Sequence, residues 1–179
     1  ATHGVLDVGG IALPEWSATA AMASMDRIGT ARALLSVSAP GVTPAANDAE
    51  AQDMARTVND AGAELAKDHP DRFGFLATLP LPALDAAAHE ATRALDELSA
   101  DGVILLAHSG DTYLGQPSQT DLFAELDRGH AVALVHPGPL PGPTVPGIPP
   151  LAADFLLDTT RAAYLLVRNE VVALYPDIR

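Results

Sequence analysis

Short apolar runs alternate with longer alanine-rich amphipathic segments along most of this chain, and that alternation limits the fold more than any other feature. The runs lie at Ala31 to Val37, Phe73 to Leu79, Gly102 to Leu106 and Ala131 to Val135. Between them Asp48 to Asp68, Leu84 to Leu98 and Asp121 to Arg128 carry apolar residues at helical spacing. Strand, helix, strand, helix is the pattern of βαβ units and a parallel sheet, so an α/β fold is expected. Ahead of the first run, Ser17 reads as the N-cap of a helix over Ala18 to Ile28, stopped by Gly29. A last helix is expected from Leu151 to Leu174, and Tyr175 to Arg179 reads as a turn leading into another strand. Nothing divides the chain, and residues 1–179 read as one domain.

The run Ala131 to Gly138, AVALVHPG, is the most informative locally. It has no alternating polar positions, which fits a strand covered on both faces. Pro137 cannot donate to a ladder, so pairing is expected to stop there and leave His136 where the chain leaves the sheet. Active sites of such folds sit at these strand ends. Pro and Gly then alternate so densely over residues 138–150 that neither helix nor ladder can form, and this loop reads as functional.

Composition removes several function classes. Ten basic against twenty-three acidic side chains give a net charge of -13, with Lys67 the only lysine, so nucleic acid is not an expected partner. No apolar run reaches the ~18 residues of a membrane helix, and no basic-then-apolar start is visible at Ala1, so no membrane partner is expected and the location is read as cytoplasmic. Without cysteine, any metal would rest on His, Asp and Glu.

Several other residues are candidates by position. His108, in ILLAHSGDTYLG, sits at a strand end and is a candidate for substrate contact. Ser36, Ser38 and Pro40 leave the first run at the same rim, where their hydroxyls could meet a carboxylate, against a plain turn at Ala39-Pro40-Gly41. Trp16, the only tryptophan, either lines a pocket or anchors the helix that follows it. Arg161 is expected to pair with Asp158 at the i, i+3 spacing, with a substrate-carboxylate clamp as the alternative. His69, His89 and His130 read as solvent-facing, and His3 stands alone. No G-x-S-x-G elbow accompanies His108-Ser109-Gly110-Asp111, so a hydrolytic triad is not expected.

The strings PEWS (14–17), MDRIG (25–29), LLSVSAPGV (34–42), HPDRFGFLATLPLP (69–82), ALDEL (94–98), YLG (113–115), LFAELDR (122–128), VHPGPLPG (135–142) and DFLLDTTRAA (154–163) occur in this order. Together they resemble the amidohydrolase-related proteins of the aminocarboxymuconate-semialdehyde decarboxylase type, over nearly the whole chain. The resemblance implies a metal-dependent (β/α)8 barrel, of which about four parallel strands would be present, since a closed barrel typically needs ~250 residues. It implies non-oxidative decarboxylation of a small unsaturated or aromatic carboxylic acid, with hydrolysis of an amide, ester or lactone as the alternative. It also implies a divalent metal, zinc or else manganese, and a homodimer. Of the ligands it implies, a first-strand His-x-His, a fifth-strand His and a late Asp, only the fifth-strand His has a counterpart, His136. At the position of His108 the family commonly carries Asn. One protein ligand cannot hold a catalytic zinc, so the polypeptide as read is expected to be catalytically incomplete, or else a half-barrel interaction unit.

Overall fold

The computed structural model describes residues 15–141 and 145–179. Four parallel strands, β1 (Ala33–Leu35), β2 (Phe73–Thr78), β3 (Gly102–Leu106) and β6 (Ala133–His136), form one sheet in the order β1-β2-β3-β6. A two-stranded antiparallel hairpin, β4 (His108–Ser109) and β5 (Thr112–Tyr113), follows β3. The helices are α1 (Ala18–Ile28), α2 (Asp48–Asp68), α3 (Leu84–Asp96), α4 (Thr120–Arg128), α5 (Asp154–Arg168) and α6 (Val171–Leu174). This is the expected α/β alternation as a curled half-barrel.

Local chemistry accounts for the element ends. Ser17 caps α1 by accepting the Ala20 N–H (3.2 Å), and Gly29 closes it in the left-handed region at φ 74°. Asn47 caps α2 in the same way through Glu50 N–H. Two expected spans differ. The first strand is Ala33–Leu35 rather than Ala31 to Val37, because its pairing with β2 runs only from Ala33 opposite Phe73 to Leu35 opposite Phe75. The last helix is split: a 3-10 turn (Pro150–Ala152) precedes α5, and Glu170 at φ 57° breaks the chain between α5 and α6.

The core lies between the sheet and the helices. Phe75, Ala77, Val103 and Leu105 pack against Ala87, Ala91 and Ala94 of α3 and Leu122, Phe123 and Leu126 of α4. Small residues bring these layers close: a Cβ at Gly62 of α2 would stand 2.9 Å from the Phe75 ring. The alternate side chains of the strands point to the opposite, concave side. Thr78, Ile104 and Leu134 are in register there, with Leu106 opposite His136 one step further on. Leu34 and Leu134, of these strands, are about half exposed.

The expected turn into another strand is present. Arg179 N–H donates to Ala131 C=O (3.0 Å), and Ala133 N–H donates to Arg179 C=O (2.8 Å), the two bonds of a parallel bridge along β6. His3 and residues 142–144 of the Pro/Gly loop lie outside the described residues. No helix among the described residues is long and apolar enough to cross a membrane.

Candidate functional site

The carboxyl ends of β3 and β6 bring His136, His108, Asp158, Tyr113 and Arg161 into one neighbourhood. His136 is the last residue of β6, opposite Leu106, and the ladder runs on by one bond from Ala107 N–H to His136 C=O (2.9 Å). Its Nδ1 lies 2.7 Å from the Pro137 carbonyl. A carbonyl only accepts, so Nδ1 carries the proton and Nε2 keeps the lone pair that a metal ion would take. Pro137 therefore ends the ladder, as its missing N–H predicts, and also sets the imidazole tautomer.

His108 opens the β4–β5 hairpin and is half-buried. Its Nδ1 lies 2.9 Å from Asp158 Oδ1. Asp158, on α5, is fully buried, and its other oxygen accepts the Gly138 N–H at 2.8 Å. One carboxylate thus joins three segments: the hairpin after β3, the loop leaving His136, and α5. A buried carboxylate is tolerable only when its oxygens are satisfied, and both are.

Arg161 does not pair with Asp158, contrary to the i, i+3 expectation. Its Nη1 donates to the Tyr113 hydroxyl (3.0 Å), and its guanidinium carbon stands 5.8 Å from the Tyr113 ring centre. Asp158 is turned inward to His108 and Gly138, whereas Arg161 is exposed. Tyr113 also lies against His108, ring centres 5.2 Å apart and tilted by 35°. Burial pushes the Tyr113 phenol above its ordinary value of 10, partly offset by the bond from Arg161.

The remaining candidates fall elsewhere. Ser38 C=O accepts the Gly41 N–H (2.8 Å), which closes the turn at Ala39-Pro40. Trp16 is 56% exposed; its ring sits over Phe73 (centres 6.5 Å apart) and borders a cleft of about 360 Å³ with Leu35, Ser36 and Asn59. His89 and His130 are exposed, whereas His69 packs edge-on against Phe73 (5.9 Å), not wholly into solvent as expected. From the sequence alone Asp158 has only a local partner, Arg161 at the i, i+3 spacing. Its partners in the fold lie 50 and 20 residues away, and no local signal marks them.

Whether a divalent ion fits turns on the donors present. His136 is in the ligand tautomer, but among the described residues no group of three or more His, Cys, Asp or Glu could hold a metal. The described residues therefore fit one corner of a metal site and do not complete one.

Comparison with known proteins gives a consistent picture. The family profile described as amidohydrolase matches residues 11–179. A decarboxylase of Penicillium terrestre is 33% identical over 185 aligned positions, covering 97% of this chain and 55% of that protein. The crystal structure of the 2,6-dihydroxybenzoate decarboxylase of Rhizobium superposes with a TM-score of 0.84 at 27% identity, over 93% of this chain and 55% of that one. The 5-carboxyvanillate decarboxylase of Novosphingobium aromaticivorans, complexed with manganese and 4-hydroxy-3-methoxy-5-nitrobenzoic acid, superposes at 0.83 and 25% identity, over 89% of this chain and 47% of that one. The chain spans about half the length of the curated relatives it matches. With the half-barrel, the strand-end imidazole and a family match over residues 11–179, the chain belongs to the amidohydrolase family.

Proposed function

We propose that this chain is part of a metal-dependent decarboxylase of small aromatic carboxylic acids and supplies His136 as one ligand of its divalent ion. The observation that carries the reading is the His136 tautomer: Nδ1–H is engaged by Pro137 C=O at the end of β6, so Nε2 is a lone-pair donor at the rim where α/β sites lie. The relatives named above are described as decarboxylases, which supports this reading over hydrolysis of an amide, ester or lactone. Further ligands would come from residues outside the described ones.

When bound, a divalent ion supplies Lewis-acid polarisation of an oxygen on the substrate. In the net reaction the bond between ring carbon and carboxylate breaks, its electron pair stays on the ring carbon, that carbon takes a proton, and carbon dioxide leaves. This chain's own part is to hold and orient. Pro137 C=O fixes the His136 ring, and Asp158 ties the next turn of that loop to His108 through Gly138 N–H. His108 is read as a substrate contact. Ser38, Trp16 and Arg161 are read as more peripheral contacts, Arg161 acting through Tyr113.

The ion is read as zinc, with manganese the alternative that a bound neighbour favours, and the working form as a cytoplasmic homodimer. Metal content of the purified full-length protein and carbon dioxide release from hydroxylated benzoates test the reading together. His136→Ala should lower both metal content and turnover at least tenfold. Near-stoichiometric metal retained by the variant would refute the ligand assignment.

A further inference from the structure

The pair His108–Asp158 is a second oriented imidazole beside His136, and its orientation has a chemical polarity. Its place is fixed against the loop that leaves His136: a Cβ at Gly138 would stand 3.4 Å from His108 Cε1, and Leu106, two residues before His108, is opposite His136 in the sheet. Asp158 Oδ2 is held by Gly138 N–H, a backbone donor that cannot reverse. Asp158 Oδ1 accepts from His108 Nδ1, and among the described residues His108 Nε2 makes no hydrogen bond. Tyr113 against one face of the ring, itself held by Arg161, keeps the imidazole from turning away.

We propose that Asp158 is a positioning residue that locks His108 in its Nδ1–H tautomer, so that Nε2 accepts a hydrogen bond from a ring hydroxyl of the aromatic acid. The assignment rests on the decarboxylase reading above and narrows it to one residue, His108, as the group that engages a ring hydroxyl. A site built to pair with a hydroxyl discriminates against the analogue that lacks it, because the buried polar group is then left unpaired.

Asp158→Asn reverses that polarity. Gly138 N–H must face the amide oxygen of the new side chain, which leaves its NH2 group facing His108. His108 can then pair only by accepting at Nδ1, with its proton moved to Nε2. Both local hydrogen bonds survive, but Nε2 becomes a donor. The experiment uses the full-length, metal-loaded protein with 2-hydroxybenzoate and benzoate as probes, measuring kcat/KM, Kd and the imidazole nitrogen chemical shifts.

The unsubstituted protein should prefer 2-hydroxybenzoate by roughly tenfold or more, and folded Asp158→Asn and His108→Phe should bring the ratio to within about twofold. The nitrogen shifts should report Nδ1–H in the unsubstituted protein and Nε2–H in Asp158→Asn. An unchanged ratio in folded Asp158→Asn, or an Nε2–H tautomer in the unsubstituted protein, overturns the assignment while leaving the decarboxylase reading standing. Failure of the unsubstituted protein to bind or decarboxylate either acid would instead remove the reading on which it rests.

Discussion

Replacing Glu90 by glutamine keeps the shape of a buried side chain and removes its charge. Glu90 is 4% exposed at its side chain and faces only donors: Arg93 Nη2 (2.7 Å), Arg93 Nε (2.9 Å) and Asn59 Nδ2 (2.7 Å) by hydrogen bonds, and Arg56 Nε further off at 3.8 Å. Its hydrogen bonds are the main reason the Arg93 guanidinium is held above its already high ordinary value. Glutamine offers one accepting oxygen, and its NH2 must point at a donor. With that oxygen at the Oε1 position the bonds from Arg93 Nη2 and Asn59 persist in weaker, neutral form, and the bond from Arg93 Nε is lost, at about 1.5–3 kcal/mol for a bond to a charged group. Arg93 keeps Asp60 at 2.8 Å, a half-exposed partner, which recovers part of the loss. The expected cost is about 3 kcal/mol, near the lower end for breaking a buried ion pair. For a domain of this size that lowers the melting temperature by about 6–12 °C. Urea unfolding followed by circular dichroism, with the slope compared between the two proteins, reads the change directly. A loss under about 1 kcal/mol at unchanged slope would refute the view that Glu90 anchors α3 to α2.

Two further outcomes follow from the strands and the rim. Gly102→Ala should cost about 1–3 kcal/mol in the same assay, because its Cβ would stand 2.2 Å from the Val132 carbonyl oxygen where β3 meets the start of β6; a cost below about 0.5 kcal/mol would mean that the two strands part easily. The raised Tyr113 phenol adds an alkaline slope: stability is intact below pH 10, where the phenol is neutral in both states, and falls as pH rises through the higher folded value. Tyr113→Phe should flatten that slope, and an unchanged slope would show that another group causes it.

The strand and helix order was legible because apolar runs and helical spacing alternate along the chain, and because the first two helices carry their own caps, as Ser17 and Gly29 show for α1. The strand-end place of His136 was legible for a similar reason, since the apolar run stops at a proline that cannot continue the pairing. The β4–β5 hairpin was not, although Gly110 at φ 58° in Ser-Gly-Asp-Thr is a turn signal; the strands beside it are two residues long, too short for a period. Asp158 was misread because a helical acid three residues before an arginine has an ordinary local partner, and burial decided otherwise. The break at Glu170 carries no Gly or Pro, and its only local signal, Arg168-Asn169 at the end of α5, is a weak helix stop inside an otherwise continuous apolar pattern.

Asn59 gives this chain a joint that neither strand nor helix would make alone. Its amide takes Thr78 N–H (2.8 Å) and gives to Thr78 C=O (2.9 Å), at a level where β1 has already ended its pairing with β2. Helix α2 is thus spliced into the sheet by one side chain. Hydrogen exchange at the Thr78 amide should accordingly report rotation of a buried amide and the loosening of α2, rather than separation of strands.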